Sequence, residues 1–327
     1  PSEASIKYIL LGAFASALLL YGISQIYGLL GTTKFAEMHR VMSDSGDPVG
    51  LGLVVALVLL ITGLGFKVAA VPFHMWAPDV YEGAPIPVTA YLSVGSKVAT
   101  FALVLRLFSQ GLMPAFSDWQ LIIIVIAALT MTIGNLVALV QHNIKRLLAY
   151  SSIGQVGYLL MGIAALSPLA SNGLIFHLIG YSVTNLAVFL AVIIIYNSTK
   201  KEEIADLAGL AEKAPFVAMA LSVGLFSLAG LPFFAGFTTK FYLFTAVAHE
   251  GLLWLVGLAI TNSVISLYYY LVIIKHMYMH SSDGSNSVEV SRLNGTVLWI
   301  LVIGIVVVGI CPGPLVNAIE AATSAIL

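Results

Sequence analysis

The chain has 327 residues, 60% of them hydrophobic and only 9% charged, and its mean hydropathy of +1.01 lies far outside the range of soluble globular domains. A formal net charge of -1 offers no basic face for nucleic acid, and the single cysteine, Cys311, excludes a disulfide framework and any cluster held by several thiolates. The composition is that of an all-α polytopic membrane protein.

A membrane helix needs about 20 apolar residues. Such runs are predicted near 4–28, 50–76, 86–109, 119–140, 146–166, 172–196, 214–247, 252–278 and 294–315, about nine segments in a single transmembrane domain over residues 1–327. The first run already has spanning length, with no initiator Met and no signal-peptide pattern, so a further N-terminal portion is expected.

In the first segment Glu3 and Lys7 are one turn apart and read as an i,i+4 pair near the interface. The second carries Lys67 about a turn before Val71-Pro72-Phe73-His74-Met75-Trp76-Ala77-Pro78. Proline removes an intrahelical donor and clashes with the preceding turn, so this segment is predicted to be broken. His74 reads as an access group or a loop anchor, with Asp79 and Glu82 just beyond it, and Trp76 reads as structural. Lys97 lies mid-way along the third segment among small and hydroxylated neighbours. In the sixth, His177, Tyr181 and Asn185 follow at one-turn spacing on one face.

The seventh segment contains Leu228-Ala229-Gly230-Leu231-Pro232, a second predicted break, followed by Thr238, Thr239 and Lys240. The two threonine hydroxyls read as relay or water-binding groups beside the lysine. Tyr268-Tyr269-Tyr270 reads as an aromatic belt. A lysine at the centre of a membrane helix costs roughly 2.5–3.5 kcal/mol. A chain that keeps Lys67, Lys97 and Lys240 in apolar runs is therefore expected to use them, and proton handling suits an ammonium. His177 suits a relay near neutral pH. Glu3, His74 and Lys145 are further candidates. Paired helix breaks, each with its lysine, mark an ion path near the bilayer midplane.

Lys7, Lys145, Arg146, Lys200, Lys201, Lys213, Lys275 and Arg292 fall on one predicted face, and only Lys34, Arg40 and Arg106 on the other. The positive-inside rule makes the richer face cytoplasmic. The longest connections, about 29–49, 197–213 and 279–293, are too short to fold as catalytic domains. Phosphate-loop, GxSxG and HExxH patterns and zinc-ligand spacings are absent from the sequence.

The chain resembles the antiporter-like subunits of respiratory complex I, the proton-pumping NADH:quinone oxidoreductase. The stretches that carry the resemblance are Glu3 to Tyr8, Gly65 to Lys67, Val71 to Pro85, Ser96-Lys97, Asn143 to Ile153, Gly230 to Pro232, Gly236 to Tyr242 and Leu267 to Tyr270. The resemblance implies a fold of fourteen helices with two inverted five-helix repeats, each holding a broken helix, of which this chain covers the sixth helix onward. It implies that Lys67 partners a glutamate of the fifth helix, which would lie upstream of Pro1. It further implies that Lys97 is the central relay, Lys240 the distal proton site, and Glu3 a second, more peripheral glutamate. No cofactor is expected in this chain. NADH, FMN, iron-sulfur clusters and quinone would belong to partner membrane-arm and peripheral-arm subunits, in a bacterial inner (plasma) membrane. A multisubunit cation/proton antiporter, a ferredoxin-driven complex I relative and a purely structural subunit are the alternative readings.

Overall fold

The computed structural model describes residues 2–44, 50–280 and 289–326, so parts of the predicted connections 29–49 and 279–293 lie outside the described residues. In chain order the helices are α1 (Ser2–Leu30), α2 (Phe35–Asp44), α3 (Leu51–Val68), α4 (Trp76–Gly83), α5 (Ile86–Arg106), α6 (Phe116–Ala138) and α7 (Ile144–Ala164). They continue as α8 (Pro168–Thr199), α9 (Leu210–Lys213), α10 (Pro215–Ala229), α11 (Ala235–His249), α12 (Leu253–Met279), α13 (Arg292–Ile310) and α14 (Gly313–Ile326). Among the described residues, 8 helices are long and apolar enough to cross a membrane. The predicted segment at 214–247 is divided between the half-length α10 and α11, and the second segment holds α3 and the break that follows it, with α4 beginning at its far end.

Both breaks are made by the same local device. α3 ends where Ala69 turns left-handed (φ 62°), with Ala70 N–H donating to Gly65 O at 2.8 Å and Pro72 forbidding resumption. α10 ends where Gly230 turns left-handed (φ 89°), with Leu231 N–H donating to Phe226 O at 3.0 Å and Pro232 following. In each case the second residue past the helix reaches back five residues to cap the last turn, and the proline stops the ladder. Lys67 stands in the last turn before its break, whereas Lys240 stands one turn into the helix after its own.

α7 is the axis of the molecule. Of its most apolar window 94% is buried, against 17% for α1 and α13, although its mean hydropathy of 1.4 is below theirs of 1.9 and 2.5. In a bilayer the lipid is as apolar as the interior, so burial follows polarity and small size rather than hydrophobicity. α6 approaches α7 at backbone contact, because a Cβ on Gly134 would stand 2.6 Å from Gly154 N and one on Gly157 2.5 Å from Met131 N. Asn143 caps the start of α7 by accepting from Lys145 N–H (2.9 Å) and Arg146 N–H (3.2 Å).

Two expectations are corrected. The apolar run at 294–315 is not one helix, since Pro312 ends α13 and α14 begins at Gly313. α14 then returns to the bundle, where Thr323 Oγ1 donates to Asn172 Oδ1 at 2.5 Å and Glu320 accepts from Tyr242 OH at 3.3 Å. The Tyr268–Tyr270 group is not a belt either. Tyr268 is exposed, but Tyr269 and Tyr270 point inward, where Tyr269 OH donates to Asn135 Oδ1 at 2.8 Å and Tyr270 shares a hydrogen bond with Ser151. A helix inside a bundle shows neighbouring tyrosines different surroundings, which a linear aromatic pattern does not encode.

Candidate functional site: lysines along a central helix

Lys97, on α5, is 1% exposed. Its Nζ donates to Ser152 Oγ, and to Ser152 O at 3.1 Å. Ser152 Oγ lies 2.6 Å from Tyr181 OH, which donates to the Ser93 carbonyl at 3.0 Å. An ammonium only donates and a carbonyl only accepts, so the protonated form of Lys97 fixes the polarity of this chain: lysine to serine, serine to tyrosine, tyrosine to carbonyl. Asn185 reinforces it, donating to Tyr181 OH at 3.2 Å and to Ser93 Oγ at 2.8 Å. The one-turn spacing of Tyr181 and Asn185 read from the sequence is thus a physical contact.

Lys240, on α11, is 4% exposed. Its Nζ donates to Leu228 O at 2.7 Å and to Ser263 Oγ at 3.2 Å, and it lies 4.9 Å from the centre of the Tyr158 ring. The Leu228 carbonyl belongs to the last turn of α10, one of the acceptors a broken helix leaves over. A cavity of about 540 Å³ lies against Lys240, Gly230 and Ser263 and is walled by Phe241 and Phe244. The two threonines before Lys240 do not serve it. Thr238 Oγ1 donates to Gly309 O at 2.8 Å, and Thr239 Oγ1 is 3.0 Å from His177 Nδ1. Helical geometry turns each of them to a different face from the lysine.

His177 is buried one turn before Tyr181 on α8, and its Nε2 has no hydrogen-bond partner among the described residues. Its Nδ1 lies 3.0 Å from Oγ1 of Thr239, the residue preceding Lys240, while Tyr181 one turn further along α8 belongs to the hydrogen-bonded chain of Lys97. Lys67 is partly buried and makes no ion pair or hydrogen bond among the described residues. The Phe66 carbonyl beside it accepts from Trp76 Nε1 at 2.9 Å, which anchors the break and gives Trp76 the structural role read for it. His74 lies in that break, buried, and its Nδ1 has no hydrogen-bond partner among the described residues.

The sequence reading assigned no role to Ser152, Gln155 or Tyr158, although all three touch the lysine sites. They lie on one stripe of α7 at spacings of three, which is the only linear signal they carry. Gln155 Nε2 donates to Leu228 O at 3.2 Å, the carbonyl that also receives Lys240.

Residues 1–266 match the profile of a family described as NADH:quinone oxidoreductase/Mrp antiporter, TM. The chain is 45% identical over 326 residues to NADH-quinone oxidoreductase subunit N of Desulforamulus reducens, covering 99% of this chain and 68% of that protein. It belongs to this family. It is also 44% identical to the subunit N of Moorella thermoacetica, covering 97% of this chain and 66% of that protein, so it spans about two thirds of the length of these relatives. Among solved structures it superposes on a chain of respiratory complex I from Thermus thermophilus with a TM-score of 0.82 and 32% identity, covering 97% of this chain and 69% of that one. A chain of the archaeal membrane-bound sulfane sulfur reductase gives 0.90 at 30% identity, covering 99% and 66%. A chain of the Mrp complex from Dietzia gives 0.89 at 24%, covering 99% and 68%, which speaks for the fold alone.

In this antiporter-family chain Glu3 and Lys145 stand apart from the buried row, in a charged cluster at one end of the bundle. Lys7 Nζ meets Glu3 at 2.7 Å, as its spacing predicts, and Asp79 at 2.6 Å. Arg146 Nη1 meets Asp79 at 2.8 Å and Glu82 at 2.9 Å, while Lys145 pairs with Glu202 at 2.7 Å and donates to the Glu82 carbonyl. The cluster ties α4, the short helix after the first break, to α1 and α7. It also gathers Lys7, Lys145 and Arg146 at one end, as the loop-charge reading requires.

Burial opposes ionisation of Asp79, but its bonds to Lys7 and Arg146 outweigh this and hold its carboxyl below the usual range. A carboxyl depressed by folding adds stability above its unfolded pKa and loses it as pH falls through the folded value. Asp79→Asn is thus expected to lower resistance to denaturation by about 1–2 kcal/mol at neutral pH, the pairs being partly solvated. The difference from the unsubstituted protein should shrink below about pH 4, which denaturation curves at several pH values would reveal.

Proposed function

We propose that this chain is a membrane-arm subunit of a proton-pumping NADH:quinone oxidoreductase, moving protons through Lys97, His177 and Lys240 as quinone is reduced in neighbouring subunits. The observation that carries the reading is that two lysines are buried in a membrane bundle and held by neutral groups, with no carboxylate bonded to either among the described residues. A buried ion pair would be broken by deprotonation, leaving an uncompensated carboxylate. Lys97 and Lys240 each gain or lose a proton without that penalty.

The hydroxyl chain from Ser152 through Tyr181 stops at the Ser93 carbonyl, which has no proton to pass on. It therefore orients Lys97, and the outgoing proton is carried by His177, whose Nε2 is unpartnered, and by water toward Lys240. Lys67, lying against the first break, receives the driving signal, since a charge change there acts on Lys97 electrostatically. The pairing of Lys67 with a glutamate of the fifth helix rests on the resemblance. His74, Glu3 and Lys145 belong to the input end of the path.

Residues 1–327 act as one transmembrane domain in a multi-pass protein, and the bacterial relatives support placing it in the inner (plasma) membrane. NADH, FMN, iron-sulfur clusters and quinone are handled by partner subunits of the membrane and peripheral arms. The relatives at 45% and 44% identity favour this assembly over a cation/proton antiporter or a ferredoxin-driven complex.

The test is NADH-driven quinone reduction with proton uptake, measured on the detergent-purified assembly containing the full-length subunit after reconstitution into vesicles. Coupled uptake is the expected result. Sodium-dependent cation/proton exchange without NADH oxidation would replace this reading by the antiporter one.

A further inference from the structure

We infer that Gln155 is a positioning residue for Lys240, a role resting on the function proposed above. Gln155 and Lys240 converge on one acceptor, the Leu228 carbonyl in the last turn of α10, at 3.2 and 2.7 Å. A carbonyl oxygen has two lone pairs, so it receives both donors at once. That oxygen exists as a free acceptor only because the helix is broken after it, by Gly230 in the left-handed region and Pro232.

The consequence lies in what happens when Lys240 gives up its proton. Neutral lysine keeps two N–H groups but is a much weaker donor than the ammonium, so with Lys240 as its sole partner the buried carbonyl would favour the charged form and oppose proton release. Gln155 is a permanent donor that never titrates, so the carbonyl stays satisfied in both states of the lysine. Ser263 does the same for the adjoining end of the half-helix, donating to Ala229 O at 3.0 Å while accepting from Lys240. Gln155 also stands one turn after Ser152 on α7, so one rigid helix carries the partner of Lys97 and the co-donor of Lys240.

The titratable groups around this point are few. Tyr158 of α7 lies under the ammonium, His177 of α8 is bonded to Thr239, and Tyr269 and Tyr270 of α12 are bonded to Asn135 and Ser151. α6 presents the neutral Asn135, and α10 has no ionisable side chain. None of these is a carboxylate; the Gln155 amide also reaches Tyr270, and a change in donors at the Leu228 oxygen falls on Lys240.

The experiment is the pH profile of NADH-driven proton uptake by the reconstituted complex carrying Gln155→Leu, with Gln155→Met as a second, more adaptable donor-free variant. Quinone reduction in detergent checks assembly. Without Gln155 the carbonyl bonds the ammonium alone and more strongly, so the alkaline limb should move up by about one pH unit, a tenfold change in proton affinity. A parallel shift in both variants supports the role. An unmoved limb in either assembled variant, whatever the maximal rate, overturns it while leaving the proposed function standing. Undiminished uptake by Lys97→Met and Lys240→Met complexes would overturn the function reading and this role with it.

Discussion

Replacing Lys97 by methionine is expected to leave the subunit folded and assembled while cutting NADH-driven proton translocation by about 10²-fold or more, the scale on which positioned proton-transfer groups act. Methionine fills a similar volume. Removing a buried cation that has no carboxylate partner strands no opposite charge, and Ser152 Oγ keeps Tyr181 as a partner. Apolar replacement of buried charge is often neutral or stabilising for a fold. The loss should therefore appear in coupling rather than abundance, with proton uptake collapsing relative to the amount of assembled complex. Lys97→Arg is no conservative rescue, because a guanidinium does not release its proton in a protein and its planar fork does not fit a site shaped for one serine. Full pumping by the methionine variant would end the case for the lysine row.

The second large effect is on folding. Gly236 opens α11 directly against the end of α10, and a Cβ there would stand 1.7 Å from Ser227 O and 2.6 Å from the carbonyl carbon. Those atoms are backbone and have no rotamer to escape into. Gly236→Ala thus forces the half-helices apart, lengthening the Gly236 N–H to Ser227 Oγ bond of 3.0 Å and drawing Lys240 from Leu228 O. Overpacking a well-filled interior typically costs about 1–3 kcal/mol, and a main-chain clash belongs at or above the top of that range. Greatly reduced subunit in purified membranes, or a markedly lower melting temperature of the assembly, is the expected result. Gly224→Ala makes a useful comparison, since its Cβ would meet a methyl of Val188 at 2.5 Å, a side-chain contact rather than a main-chain one.

Much of the architecture was legible because the bilayer simplifies the code. Long apolar runs become helices, since no other backbone arrangement satisfies its own hydrogen bonds in lipid. A proline inside such a run becomes a break, and Pro72 and Pro232 are where the breaks lie. Pro312 was equally informative, but it stood near the end of a run and was read as part of the same helix. The lysines were legible because a charge in an apolar run is costly to keep. Ser152, Gln155 and Tyr158 were not, because small or neutral polar residues are common in membrane helices and their cost depends on the partner they meet. Thr238 and Thr239 were read as neighbours of Lys240 by their closeness in sequence. The helix turned them to α13 and α8 instead.

What the sequence determined by itself was the class of molecule, the approximate limits of most of its long apolar helices, the two broken segments and the lysines whose burial in apolar surroundings is costly. Each follows from local composition and from the cost of moving a polar group into hydrocarbon. Tertiary structure decided which helix is central and who holds each lysine. Lys97 meets a serine 55 residues away, and Lys240 shares the Leu228 carbonyl with a glutamine 73 residues before that carbonyl. Hydrogen-bond partners of that kind are chosen by the packing of helices against one another, where small residues permit close approach and every buried donor needs an acceptor, and no local pattern in the chain records the choice.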